Sequence, residues 1–253
     1  MLPYFDRAFA PFAKTNKKIG TRPQFRVLDS QSFTQNLEAR DKIFRDEFIS
    51  LYIKLRYQHV QEKLNAITMR GSVSGSYPSP IGPTTKLHPR DANIIWPPAT
   101  KSKPGAFYDP FTNSLNVRID QVDPGIIAHE CCHYFTAKKW DESILLLAVY
   151  DLDPTAVHID EGVTSAVANT VLYEWNKSAR PAHAPDGFAG YGSDVRRVAQ
   201  KFVTHADGTL FTPGKNALGA YLGGAVSVTI SKRDHWSSRL TVGTASFLMS
   251  AVR

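Results

Sequence analysis

The stretch Asp123-Pro-Gly-Ile-Ile-Ala-His-Glu-Cys-Cys-His-Tyr-Phe135 opens as a helix should and carries a metal-binding spacing. An aspartate followed by proline is an N-cap with a preset first helical residue. The helix is predicted to run to about Lys139. Within it, His129 and His133 stand at i and i+4 and so share one face, where two imidazoles reach a single ion. Glu130 lies one step round, where a carboxylate can take a proton from water at that ion. Zinc is the metal that this H-E-x-x-H spacing on a helix most specifically suits. Cys131 points about 200° from His129 and Cys132 flanks the metal side, so both are expected to pack rather than ligate.

A zinc ion that performs chemistry needs a third protein ligand and an open position. The pattern that adds a glycine and a third histidine is absent, because Thr136 and Lys139 occupy those places. Downstream, Asp141 is expected to cap an apolar helix through Ile144–Val149. Asp153-Pro154 repeats the cap signature and opens a helix carrying Val157, Ile159, Val163, Val167, Val171 and Leu172, ending near Trp175. Glu161 falls on that helix, and Gly162 beside it permits two helices to approach closely. Glu161 is the favoured third ligand, with His158 and Asp160 as competitors. Asp160 points about 100° from Glu161 and can instead orient a histidine. Upstream, Ala106–Ile119 reads as two short strands around a turn at Asp109-Pro110 and Thr112-Asn113-Ser114, with Leu115, Val117 and Ile119 alternating.

Together these residues resemble the gluzincin branch of the zinc peptidases. That branch joins H-E-x-x-H on one helix to a glutamate in an E-G-x-T or E-G-x-A context on the next. In this chain the pattern reads His129, Glu130, His133 and Glu161-Gly-Val-Thr164. The resemblance covers about residues 107–172. It implies an α+β, zincin-like, two-lobed metallopeptidase, with a small sheet and active-site helix in one lobe and a mainly helical second lobe. It further implies zinc on His129, His133 and Glu161, and Glu130 as general base. An extended peptide or protein substrate would be aligned by backbone pairing along the strand containing Leu115 and Val117. Thermolysin-type members carry an aspartate four residues after the glutamate. Ser165 stands there in this chain, so Ser165 and Asp160 are the candidates for supporting the zinc histidines. The tail Gly219-Ala-Tyr-Leu-Gly-Gly224 is similar to an alanine–tyrosine–glycine helix in bacterial members.

Hydrolysis of a peptide also needs a group to stabilise the oxyanion. Tyr191, Tyr221, His183, His205 and His235 are candidates, with Tyr221 favoured and His235 next. The remaining features bound the context. The 253 residues sum to a net charge of +7, with 42% hydrophobic residues and two adjacent cysteines. This describes an ordinary globular chain without a disulfide framework. The basic residues occur in scattered pairs, which argues against a nucleic-acid partner. No stretch has the length of a bilayer span, so membrane insertion is not expected. Asp6 and Arg7 interrupt the region where a Sec signal would need an apolar core. A basic peptidase of this size without such a signal resembles effector toxins delivered through specialised bacterial secretion machines. A secretion-machinery carrier and action in a target-cell periplasm are therefore expectations, with a cytoplasmic enzyme or a cell-wall peptide endopeptidase as alternatives. Residues 1–105 are expected to form a helical extension with a Pro/Gly-rich connection, and 106–253 the catalytic region.

Overall fold

A computed structural model describes residues 1–69, 104–151, 155–179, 217–230 and 238–242. It divides the chain into two compact units, 1–37 with 104–253 and 38–103. The boundary expected at 105/106 is therefore not where the chain divides, because its first 37 residues pack with the metal-motif region. The first two turns of the helix α2 (Ser30–Met69) belong to the first unit and the rest to the second. The predicted strand at Asn93–Trp96 and helix at Ser193–Val203 lie outside the described residues.

The N-terminal segment is ordered by aromatic packing. Helix α1 (Leu2–Phe9) passes into a short 3-10 turn, Ala10–Phe12. Phe5, Phe9 and Phe12, spaced four and three apart, fall on one face and are buried. The rings of Phe5 and Phe9 lie 5.6 and 5.5 Å from that of Phe135. Burying each such ring contributes roughly 1.5–3 kcal/mol, which is why so short a helix holds its place.

Three strands form the central sheet. β1 (Gln24–Leu28) pairs parallel with β3 (Ser114–Arg118), and β2 (Ala106–Asp109) pairs antiparallel with β3, giving the order β1-β3-β2. The register sets Tyr108 opposite Leu115 and Ala106 opposite Val117. Asp109 shapes the hairpin turn: its Oδ1 accepts the Phe111 N–H at 2.9 Å and its Oδ2 the Thr112 hydroxyl at 2.6 Å. Asn113 takes the left-handed conformation, φ 51°, that asparagine tolerates. On one face Ala106, Leu115 and Val117 join the main core. On the other, Phe107 meets Phe33 and Leu37 of α2. The start of α2 is fixed by Asp29, whose Oδ1 accepts the N–H groups of Gln31 and Ser32 at 2.9 and 2.8 Å.

Helix α3 (Pro124–Phe135) follows with the cap the Asp-Pro pair predicted. Asp123 Oδ1 accepts the Gly125 and Ile126 N–H groups at 2.7 and 3.1 Å. Asp123→Ala removes this cap and is expected to destabilise the fold by about 1 kcal/mol, read as a lower urea midpoint with an unchanged slope. α3 stops at Phe135, four residues short of the expected end. α4 (Lys138–Asp151) then begins three residues before its expected cap, so Asp141 lies inside it. α5 (Thr155–Ala179) packs along α3 through Val163, Ala166, Val167 and Val171 against Ala128 and the buried cysteines. The small side chains of Gly162, Ala128, Cys131 and Cys132 keep the two helices close.

The tail closes over the end of α3. α6 (Ala217–Tyr221) is a short helix, and Ala137 N–H donates to the Tyr221 carbonyl at 2.8 Å. Gly223 and Gly224 follow; a Cβ on Gly223 would meet the Gly219 carbonyl at 2.8 Å, and Gly224 has φ +72°. A two-stranded antiparallel ribbon, β4 (Val226–Ile230) and β5 (Ser238–Val242), lies beside α4. The buried amide of Asn16 fastens these parts, its Nδ2 donating to the carbonyls of Phe135 at 2.6 Å and Leu222 at 3.0 Å. Among the described residues no helix is long and apolar enough to cross a membrane.

Candidate metal centre

The α3–α5 contact brings three ligand atoms together. His129 Nε2 lies 2.9 Å from Glu161 Oε2 and 3.1 Å from His133 Nε2, and His133 Nε2 lies 3.6 Å from Glu161 Oε2. A tetrahedral zinc with donors about 2.0–2.2 Å away separates its ligands by roughly 3.3 Å. The observed triangle is of that size. Among the described residues these three are the group arranged to hold an ion.

The outer nitrogens are arranged so that the inner ones face the centre. His129 Nδ1 lies 3.2 Å from the Ser165 hydroxyl, which suits a proton on Nδ1 and a lone pair on Nε2. His133 Nδ1 faces Asp160 Oδ2 at 3.7 Å. Asp160 is itself held, its Oδ1 accepting the Trp140 indole N–H at 2.7 Å. Both residues expected to support the imidazoles, Asp160 and Ser165, are therefore placed beside them. Trp140 was not legible as part of the site. Flanked by Lys138, Lys139, Asp141 and Glu142, it gave no sign of the full burial it has.

Electrostatics follow from the mixture of burial and charge. Burial pulls His133 down, but the carboxylates of Glu161, Asp160 and Glu130 outweigh it and push its pKa to about 10. Burial raises Glu161, yet His133 and the hydrogen bonds from both imidazoles hold its carboxyl well below the usual range. Asp160 is raised, chiefly by burial, with His133 and the Trp140 bond opposing. The cluster is thus a concentrated, partly buried set of opposite charges in which a dication can take the place of the imidazolium proton.

Glu130 does not join the three ligands. Its Oε2 accepts the backbone N–H of Tyr108 at 2.8 Å. The ladder turns the N–H and C=O of Gly105, Phe107 and Asp109 towards β3 and those of Ala106 and Tyr108 outward. Glu130 therefore sits on the side of β2 turned away from β3, beside the ligand cluster. This partner is a backbone group, so no residue type could have announced it.

Three expectations are corrected. Leu115 and Val117 were expected to align a substrate, but β3 is the central strand and both side chains are 0% exposed. Tyr221 was favoured as oxyanion stabiliser, but it is fully buried: its hydroxyl bonds Thr164 Oγ1 at 2.8 Å and its ring packs 5.5 Å from Trp140. It props the α5 helix rather than facing a substrate. Asp141, finally, is no N-cap. The cysteines are buried and unbridged, with burial pushing Cys131 to about 12 and Cys132 well above its ordinary value, which fits packing rather than ligation. The side chain of His158, and all of Tyr191, His183, His205 and His235, lie outside the described residues.

Comparison with protein-family profiles, with characterised proteins and with solved structures finds no match.

Proposed function

We propose that this chain is a zinc-dependent peptidase of gluzincin-like, zincin-type architecture. The observation that carries the reading is the convergence of His129 Nε2, His133 Nε2 and Glu161 Oε2 from two helices, with Glu130 adjacent but outside the ligand set. Two imidazoles and one carboxylate are the donor set of a zinc that keeps an open position. Zinc held there supplies Lewis acidity and lowers the pKa of water towards about 7.

The chain's own residues account for the rest. Glu130 takes a proton from the attacking water and returns it to the leaving amine nitrogen. The Tyr108 N–H fixes which way the Glu130 carboxylate points. Ser165 and Asp160 hold the imidazoles in the orientation that aims Nε2 inward.

The test is metal loading followed by hydrolysis. The purified chain should take up one zinc per molecule and cleave an unfolded protein substrate. A chelator should abolish cleavage and zinc restore it. A chain that binds zinc yet cleaves no member of a mixed peptide library would instead be a zinc-stabilised binding module.

A further inference from the structure

A second concave site lies where the 15–21 turn, the start of α4 and the glycine turn at 223–224 meet. Its volume is about 490 Å³, within the range that small-molecule sites occupy. Its wall carries Lys17, Lys18, Lys138 and Lys139, and no carboxylate lines it. Four lysines on one wall concentrate positive charge there, which an anion can neutralise.

Little within the described residues answers these charges. Lys18 Nζ donates to the Thr136 carbonyl at 3.2 Å, a neutral partner. Asp141, inside α4, answers part of the Lys18 charge. Lys138 lies 3.6 Å from Glu142, with both side chains exposed, an arrangement worth little in water. Lys17 and Lys139 have no partner among the described residues. Gly223 and Gly224 complete the lining, with Gly224 close against Lys139.

We infer that this pocket binds a small multiply charged phosphate compound. Ammonium groups are compact point donors that suit phosphate oxygens from several directions, whereas a planar carboxylate is better matched by a guanidinium fork. Four lysines exceed what one monoanion needs, so at least two phosphate groups are implied. The cavity also exceeds a single phosphate in size. The site shares no residue with the metal cluster, so it stands whether or not the chain is a peptidase.

Calorimetric titration tests this, with pyrophosphate as probe and sodium chloride added to hold ionic strength constant. The full chain should bind one pyrophosphate saturably. Lys17→Ala/Lys139→Ala should weaken binding at least tenfold with an unchanged circular dichroism spectrum. Lys54→Ala, an exposed lysine in the second unit, should leave binding as it was. ATP and AMP complete the series: ATP tighter than pyrophosphate assigns a nucleotide, and equal affinity assigns the linked phosphates alone. Absence of saturable binding, equal binding by the double variant, or an equal loss in Lys54→Ala overturns the site.

Discussion

Glu130→Gln is expected to keep one zinc per chain and to lose peptide hydrolysis by about 10²–10⁴-fold, the range ascribed to a positioned general base. Glu130 contributes none of the three converging ligand atoms, so its replacement leaves the metal donors intact. Glutamine keeps the shape and retains an oxygen that can accept the Tyr108 N–H, so the local fold should survive. What disappears is the ability to take a proton. The loss should therefore fall on kcat with little change in KM, and zinc content and melting temperature should match the parent. A variant with zinc bound and parental turnover would remove proton transfer from Glu130.

The second large effect separates the two neighbouring carboxylates on α5. Glu161→Ala removes one of three ligands and should cut zinc affinity far more than the roughly 10–100-fold expected when a supporting partner is lost. Asp160→Asn should fall within that smaller range. The amide can still accept the Trp140 N–H, but it no longer offers His133 Nδ1 a carboxylate that orients the imidazole. Competition against a chromophoric zinc chelator ranks the two directly. If Asp160→Asn cost more than Glu161→Ala, Asp160 would be the ligand and the reading of α5 would have to be rotated by one residue.

Features written within a few neighbouring residues were legible. The Asp123-Pro124 cap, the i, i+4 histidines, the Asp109 turn and the run of apolar residues on α5 all depend on local spacing, and each forms as the spacing implies. Glu161 was favoured because it falls on a downstream helix beside Gly162, in the E-G-x-T context of the gluzincin pattern. The illegible features depend on distant partners. β1 shows its apolar Phe25 and Val27 to solvent, and it is a strand because β3, about ninety residues away, pairs with it. The same distant pairing places β3 in the middle of the sheet, which removes Leu115 and Val117 from any substrate. α1 is eight residues long with a proline and two charges, and only the ring of Phe135 makes it a helix worth having. Tyr221 had the chemistry of an oxyanion donor, and nothing near it in the chain revealed that Trp140 and Thr164 enclose it.

The Asn16 clasp joins residues 206 positions apart when its amide meets the Leu222 carbonyl. The end of α3 is thus braced by segments that lie far from it in the chain, one on either side. While the chain is still being made, α3 and α5 can already exist, but the brace at Phe135 is incomplete until Leu222 emerges. The helix that carries His129 and His133 therefore gains its full support only after the segment around Leu222 has been added.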